Sequence, residues 1–199
     1  MVYSYKSNDN WVFPRNLGEP VNSRNWETQP SFSSDGKTLY FIRGFGRGHQ
    51  RQQDIYMTEL QEDGTWTNPT PLSDVINTAA TEESVFIHPD GKTLYFSSNG
   101  HPGMGGLDIF KSTKDENGDW TTPVNLGYPI NTHNDENSLL VSADGKTAYF
   151  ASDREGGFGD LDLYQFELPE HARAEEVTYL SGIVYDEANN VLLRKCSLQ

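Results

Sequence analysis

Three tryptophans, Trp11, Trp66 and Trp120, stand 55 and 54 residues apart, and each opens a related phrase. The phrases run Trp11–Pro14–Leu17, Trp66–Pro69–Leu72 and Trp120–Pro123–Leu126. After each comes an Asn (Asn22, Asn77, Asn131) and then a Glu (Glu27, Glu82, Glu136). Eight residues beyond each Glu lies an Asp-Gly-Lys-Thr tetrad, at Asp35, Asp90 and Asp144. The tetrad leads into Leu39-Tyr40-Phe41, Leu94-Tyr95-Phe96 and Ala148-Tyr149-Phe150. A Gly-rich loop follows, and the unit closes on Asp54-Ile55-Tyr56, Asp108-Ile109-Phe110 and Asp162-Leu163-Tyr164. A self-similar period of this length makes the chain an array of one supersecondary unit.

Each unit reads as four strands, here called a to d. Strand a ends in Ser31-Phe32-Ser33, Val85-Phe86-Ile87 or Leu139-Leu140-Val141. The Asp-Gly pair is expected to supply the positive-φ positions of a tight hairpin. Strand b is apolar on both faces, as in a sheet covered from both sides. Strand c starts at the Asp-Ile-Tyr triplet, and the Trp phrase forms strand d, an outer strand where proline is tolerated. One such sheet cannot bury two apolar faces alone, whereas radial stacking of like sheets can. The fold class is therefore all-β, a β-propeller fragment of three four-stranded antiparallel blades.

The propeller reading covers residues 1–168, with residues 1–17 a partial blade ahead of the three repeats. Met1 precedes Trp11 by ten residues, as Tyr56 and Phe110 precede the next Trp, which places residue 1 inside strand c of a preceding blade. Propellers have about four to eight blades, so three cannot close a ring and the chain reads as part of a longer one. The lack of a leader in the sequence then says nothing of localisation. Three blades also leave apolar faces bare on the first and third sheets, so self-association or aggregation of the isolated fragment is expected, a pairing of two halves into a six-bladed ring being one form of it. After the third strand c no Trp phrase follows, which makes the third repeat the last blade. Residues 169–176 read as an acidic linker. Residues 177–199 alternate as a strand, turn at Asn189-Asn190 and enter a second strand.

Composition narrows the partners. The formal net charge is −14, the pI about 4.6 and the mean hydropathy −0.68. Such a polyanion is repelled by nucleic-acid phosphates and anionic lipid, so no nucleic acid is expected to bind. No apolar run is long enough to span a bilayer. The single cysteine, Cys196, excludes an internal disulfide framework.

The Asp-Gly-Lys-Thr-Leu-Tyr-Phe and Gly-Gly-Leu-Asp-Ile-Phe phrases resemble the TolB-like, WD-repeat-like propeller repeats of exported bacterial proteins. The added Trp phrase is similar to a form common in Bacteroidetes envelope proteins. Leu180-Ser-Gly182-Ile-Val-Tyr-Asp186 resembles the opening of a carboxypeptidase-regulatory-like β-sandwich, with Leu192 where that family usually has Pro. The order of the two parts is similar to PorE-like envelope proteins, which end in an OmpA-like domain and belong to type IX secretion. The resemblance implies a periplasmic, outer-membrane-associated scaffold that contacts envelope proteins or a peptidoglycan-associated complex.

Residues that recur in every unit are read as structural. Glu27, Glu82, Glu136, Asp54, Asp108 and Asp162 hold turns and strands, and Asn22, Asn77 and Asn131 cap a turn. Function is sought where repeats differ, in the b–c loops. The first of these is basic and aromatic, and b–c and d–a loops share one end of a propeller. Trp26, Arg47, His49, Arg51, His133 and Asp135 are thus a candidate patch for a partner carrying carboxylates; the alternative is ordinary loop variation. Five histidines show no paired metal-ligand spacing, and no nucleophile elbow or P-loop occurs. No catalytic residue, metal or cofactor is expected. The leading reading is a non-catalytic binding or scaffolding module; the alternative is the accessory propeller of a peptidase or glycan hydrolase.

Overall fold

The computed structural model describes residues 1–46, 52–185 and 192–198. Its repeating units are antiparallel sheets. Blade one consists of β5 (Trp26–Phe32), β6 (Thr38–Phe45), β7 (Gln52–Glu59) and β8 (Thr70–Pro71), hydrogen-bonded in that order. Blade two repeats the order with β9 (Glu82–Ile87), β10 (Thr93–Ser98), β11 (Asp108–Thr113) and β12 (Val124–Asn125). Blade three has β13 (Glu136–Val141), β14 (Thr147–Ser152) and β15 (Asp162–Glu167), and β15 is the edge of its sheet. No α-helix occurs among the described residues.

The strands form where the sequence places them because their side chains fit a sheet covered on both faces. Every residue of β10 is buried. Between blades one and two lie Tyr40, Ile42 and Ile55 against Val85, Ile87, Leu94 and Phe96. Between blades two and three lie Tyr95 and Ile109 against Leu139, Val141, Ala148 and Phe150. One face of each blade thus meets the other face of the next, and the same repeat positions do so at both seams.

The a–b hairpins differ from expectation in one detail. Only the glycine of each Asp-Gly pair has a positive φ, at Gly36 (69°), Gly91 (70°) and Gly145 (70°). The aspartate serves as an acceptor instead: Asp35 Oδ1 takes the Lys37 amide, Asp90 Oδ1 the Lys92 amide and Asp144 Oδ1 the Lys146 amide. Strand d is also shorter than its phrase. Only two residues pair with strand c in blades one and two, and each Trp contributes an isolated bridge, Trp66 to Leu60 and Trp120 to Lys114.

Ahead of blade one, β1 (Val2–Tyr3) pairs with β4 (Arg15–Asn16), and β2 (Lys6–Ser7) with β3 (Asn10–Trp11). These stand as a c–d pair, as expected, but one residue out of step. The Leu17 amide donates to Met1 O, as Leu72 donates to Ile55 and Leu126 to Ile109. Met1 therefore holds the place of Ile55 and Ile109, not that of Tyr56 and Phe110. The tight turn through Asn8 (φ 49°) and Asp9 (φ 62°) makes this hairpin one residue shorter.

Residues 168–177 pack back onto the blades. Leu168 and Ala172 are fully buried between blades two and three, with the 3-10 turn Glu170–Ala172 between them and Arg173. Tyr95 Oη donates to Ala172 O and the Val177 amide to Ala143 O. Tyr95 is the repeat equivalent of Tyr40, which meets Trp120 edge-on; this segment therefore lies where a Trp lies one blade earlier. Beyond it, β16 (Leu180–Tyr185) and β17 (Leu192–Leu198) form an antiparallel hairpin. The turn expected at Asn189-Asn190 lies outside the described residues.

Candidate interaction face

Strand pairing fixes which loops share an end. Ser98, at the end of strand b, pairs with Glu82 at the start of strand a and with Asp108 at the start of strand c. The d–a and b–c loops of every blade therefore open on one face.

The recurring carboxylates sit just beneath that face; Glu27, Glu82, Glu136, Asp108 and Asp162 accept donors of their own blade, while Asp54 Oδ1 and Asp108 Oδ1 are buried without a hydrogen-bond partner. Glu82 is fully buried and accepts from the Thr78 amide, the Thr78 hydroxyl and the Ser98 hydroxyl. Burial pushes its carboxyl above the usual carboxylate range against the pull of those donors. Glu136 takes the equivalent contacts from Thr132 and Ser152, and Glu27 takes both contacts from Ser23. Asp108 Oδ2 accepts the amides of Met104 and Gly105, and Asp162 Oδ2 those of Phe158 and Gly159, so each fixes its own b–c loop.

The asparagines do more than cap a turn. Asn77 Oδ1 accepts the Ile55 amide while Nδ2 donates to Ile55 O and Leu72 O. Asn131 makes the first two of these contacts with Ile109. The side-chain amide thus stands in for a peptide group of strand d, where the strand itself has ended.

One feature escaped the repeat alignment. The carbonyl three residues after the d-strand turn glycine position or its equivalent, at Val21, Ile76 or Ile130, receives a side-chain donor in every blade. Blade one supplies Arg43 from strand b, and blades two and three supply His101 and Arg154 from their b–c loops. Arg43 and Arg154 also reach Glu27 and Glu136 of their own blades. Three donors from three different repeat positions converge on one site, which the fold brings together. The partial signal is that Ser98 and Ser152 stand where blade one has Arg43.

The predicted patch is brought together in part. His133 and Asp135 are exposed on the d–a turn of blade three, against the b–c loop of blade two. The Leu107 amide donates to Asp135 Oδ1 and the Gly106 amide to Asn134 O. A Cβ on Gly105 would come within 2.5 Å of the His133 carbonyl carbon, so the contact requires glycine. Glu83, on the inner strand of blade two, is pushed upward by burial and then by the Asp135 charge, opposed by a hydrogen bond from Asn137. Trp26, 46% exposed, begins the inner strand of blade one at the repeat position that Asp135 holds in blade three. It is therefore on the same face but in a different blade. Arg47, His49 and Arg51 lie outside the described residues.

No protein-family profile and no curated protein matches the sequence. Among solved structures, TolB from Acinetobacter baumannii is similar, with a TM-score of 0.54 and 16% identity over 85% of this chain. The fold is that of β-propeller blades. The chain spans about a third of that structure, 35% of its length. Puromycin hydrolase is more distant, with a TM-score of 0.48 and 15% identity over 82% of this chain and 25% of its own.

Proposed function

We propose that this chain is a non-catalytic binding module of a bacterial cell-envelope protein, holding protein or cell-wall partners in the periplasm at the outer membrane. The observation that carries it is a division of labour among polar residues. Glu82 and Glu136, which recur blade by blade, accept amides and hydroxyls of their own blade, and Asp108 holds two amides of its own loop on Oδ2. Side chains that differ between blades, such as Trp26, His133 and Asp135, stand exposed at the loop end. Exposed variation on a rigid repeated scaffold is how a binding surface is built. The envelope setting rests on the resemblance of the repeat phrases to TolB-like and PorE-like propellers. The basic loop with Arg47, His49 and Arg51 offers positive charge on an acidic surface, so its partner carries carboxylates.

The test is site-directed photocrosslinking in the native host. A crosslinking residue at His133 or Trp26 should capture an envelope protein or peptidoglycan-linked species, and one at Lys37, at the opposite end of blade one, should not. Arg47→Ala with Arg51→Ala should weaken that capture in a salt-dependent way and leave folding intact. Turnover of a peptide or glycan by the parent protein, lost on mutating a blade residue, would overturn the non-catalytic reading.

A further inference from the structure

The three blades share one arrangement at the loop end, and blade two lacks its cation. Glu27 is paired with Arg43 and Glu136 with Arg154. In blade two the donor to the corresponding carbonyl is His101, which bonds Ile76 O with its ring against Phe96 and Phe110. Among the described residues, neither Glu82 nor Asp108 has an ion-pair partner. Both are buried, Glu82 at 0% exposed and Asp108 at 1%. Buried carboxylates are costly unless positive charge meets them. Burial, and after it the charge of Asp54, push the Glu82 carboxyl upward against its own donors, so negative charge is in excess here.

Strand register gathers these groups at the seam between blades one and two. Ser98 pairs with Glu82 on one side and Asp108 on the other, and its hydroxyl donates to Glu82 Oε1. Alternation along β11 puts Asp108 on the face of Phe110, and alternation along β7 puts Gln53 on the face of Ile55. Phe110 and Ile55 belong to the one apolar cluster of that seam. Gln53 also bridges to Thr81, the residue before Glu82. It is 9% exposed, and its Oε1 is buried without a hydrogen-bond partner, as is Asp108 Oδ1. Two acceptors cannot satisfy each other, and such bare buried oxygens call for a ligand. Asp54 Oδ1 is bare too, but Asp54 stands directly across from Arg43. At the second seam the position of Gln53 is held by Leu107, which has no oxygen to offer.

We infer that the seam between blades one and two binds a hard divalent cation of the calcium type, held by Asp108 Oδ1, Gln53 Oε1 and Glu82. It supplies the positive charge that arginine supplies in the other two blades. Carboxylate and carboxamide oxygens are the ligands such an ion takes, with water in the remaining positions. Among the described residues no three His, Cys, Asp or Glu side chains converge as a metal site, so the third ligand is the neutral oxygen of Gln53. A bridging water would donate to both bare oxygens but leave both charges unbalanced. The ion ties strand c of blade one to strands a and c of blade two. No metal was expected from the sequence, whose histidine spacing carries no sign of a site built from oxygens of two blades. The inference rests on a seam inside the chain and not on the envelope partner.

The test is isothermal titration calorimetry of the chelator-stripped chain with calcium chloride, with magnesium and zinc in separate arms. One calcium per chain is expected, with a Kd of about 10⁻⁴–10⁻³ M, the range of extracellular calcium modules. Calcium should also raise the thermal midpoint, because it binds the folded chain. Gln53→Leu, which installs the residue found at this position in blade two, should fold as wild type and weaken calcium about tenfold. Asp108→Asn keeps an oxygen for the Met104 and Gly105 amides and should remove most of the affinity. Magnesium, which demands a tighter octahedron, should bind more weakly. A chain that takes up no calcium would overturn the inference. So would weak uptake at several sites that Gln53→Leu leaves unchanged, or displacement of calcium by magnesium or zinc.

Discussion

Arg43 and Arg154 come from different positions of the repeat, yet their guanidinium groups lie over the same aromatic pair of their blades. Arg43 is 5.3 Å from the ring centre of Phe41 and 5.0 Å from that of Tyr56. Arg154 is 4.8 Å from that of Phe150 and 5.0 Å from that of Tyr164. His101 fills the place in blade two, with its ring 5.6 Å from that of Phe96 and 5.2 Å from that of Phe110. Each closes the loop end of its blade with one cationic or imidazole donor.

Arg43→Ala should therefore destabilise more than Arg154→Ala. Removing Arg43 strips the buried Glu27 of its cation, leaving only the Ser23 donors, and the Val21 carbonyl of its side-chain donor, at a cost of about 3 kcal/mol. Arg154 is more exposed and its loss should cost about 1 kcal/mol. Urea denaturation of both variants measures the difference as a shift in midpoint; equal shifts would show that burial of the pair does not govern its worth.

Gly105 and Gly159 share a repeat position but not an environment. An alanine at Gly105 would press on the Thr132 oxygen and the His133 backbone, whereas nothing lies within 4 Å of a Cβ at Gly159. Gly105→Ala is expected to cost about 2 kcal/mol, the scale of overpacking. Gly159→Ala should stay within about ±0.5 kcal/mol in the single chain. Thermal unfolding of the two variants at low protein concentration tests the contrast.

Asp90 should make the protein acid-sensitive. Burial opposes its ionisation, but the adjacent His88 ring, the Thr93 hydroxyl and the amides of Lys92 and Thr93 outweigh burial and hold the carboxyl well below the usual range. Because the folded value is depressed, its stabilisation is present above the unfolded value of about 4 and is lost as pH falls through and below it. Asp90→Asn should cost about 2 kcal/mol at neutral pH, with the gap to wild type narrowing towards pH 3. Urea titrations at several pH values check this, and a gap independent of pH would remove Asp90 from the acid response.

Trp120 and Trp11 open the same phrase under different cover. Trp120 meets Tyr40 edge-on at 6.4 Å and lies under Lys114 at 5.1 Å. Trp120→Ala should cost about 3 kcal/mol, whereas Trp11→Ala in the single chain should cost about 0.5 kcal/mol. Urea denaturation of the two variants measures the contrast, and equal shifts in midpoint would show that cover by the neighbouring blade does not govern the worth of this position.

The sequence determined the strands, their order and their turns. Gly36, Gly91 and Gly145 mark hairpins because a positive φ is a local demand, and Leu94-Tyr95-Phe96 marks a strand covered on both sides because its side chains alternate between two faces. His133 and Asp135 were legible as exposed loop residues for the same reason, since they differ between blades and belong to no strand pattern. The tertiary structure alone decided which of several equivalent residues are buried. Tyr95 and Tyr149 are the same letter of the repeat, yet one is sealed by a neighbouring blade and the other lies open. It also decided that Asn77 bridges to strand c as well as closing its own turn onto Leu72 O, and that Arg43, His101 and Arg154 share one site. A repeat pattern records what each residue asks of its own strand. Burial and convergence depend instead on which surface comes to lie opposite, and that is set by how blades stack in space.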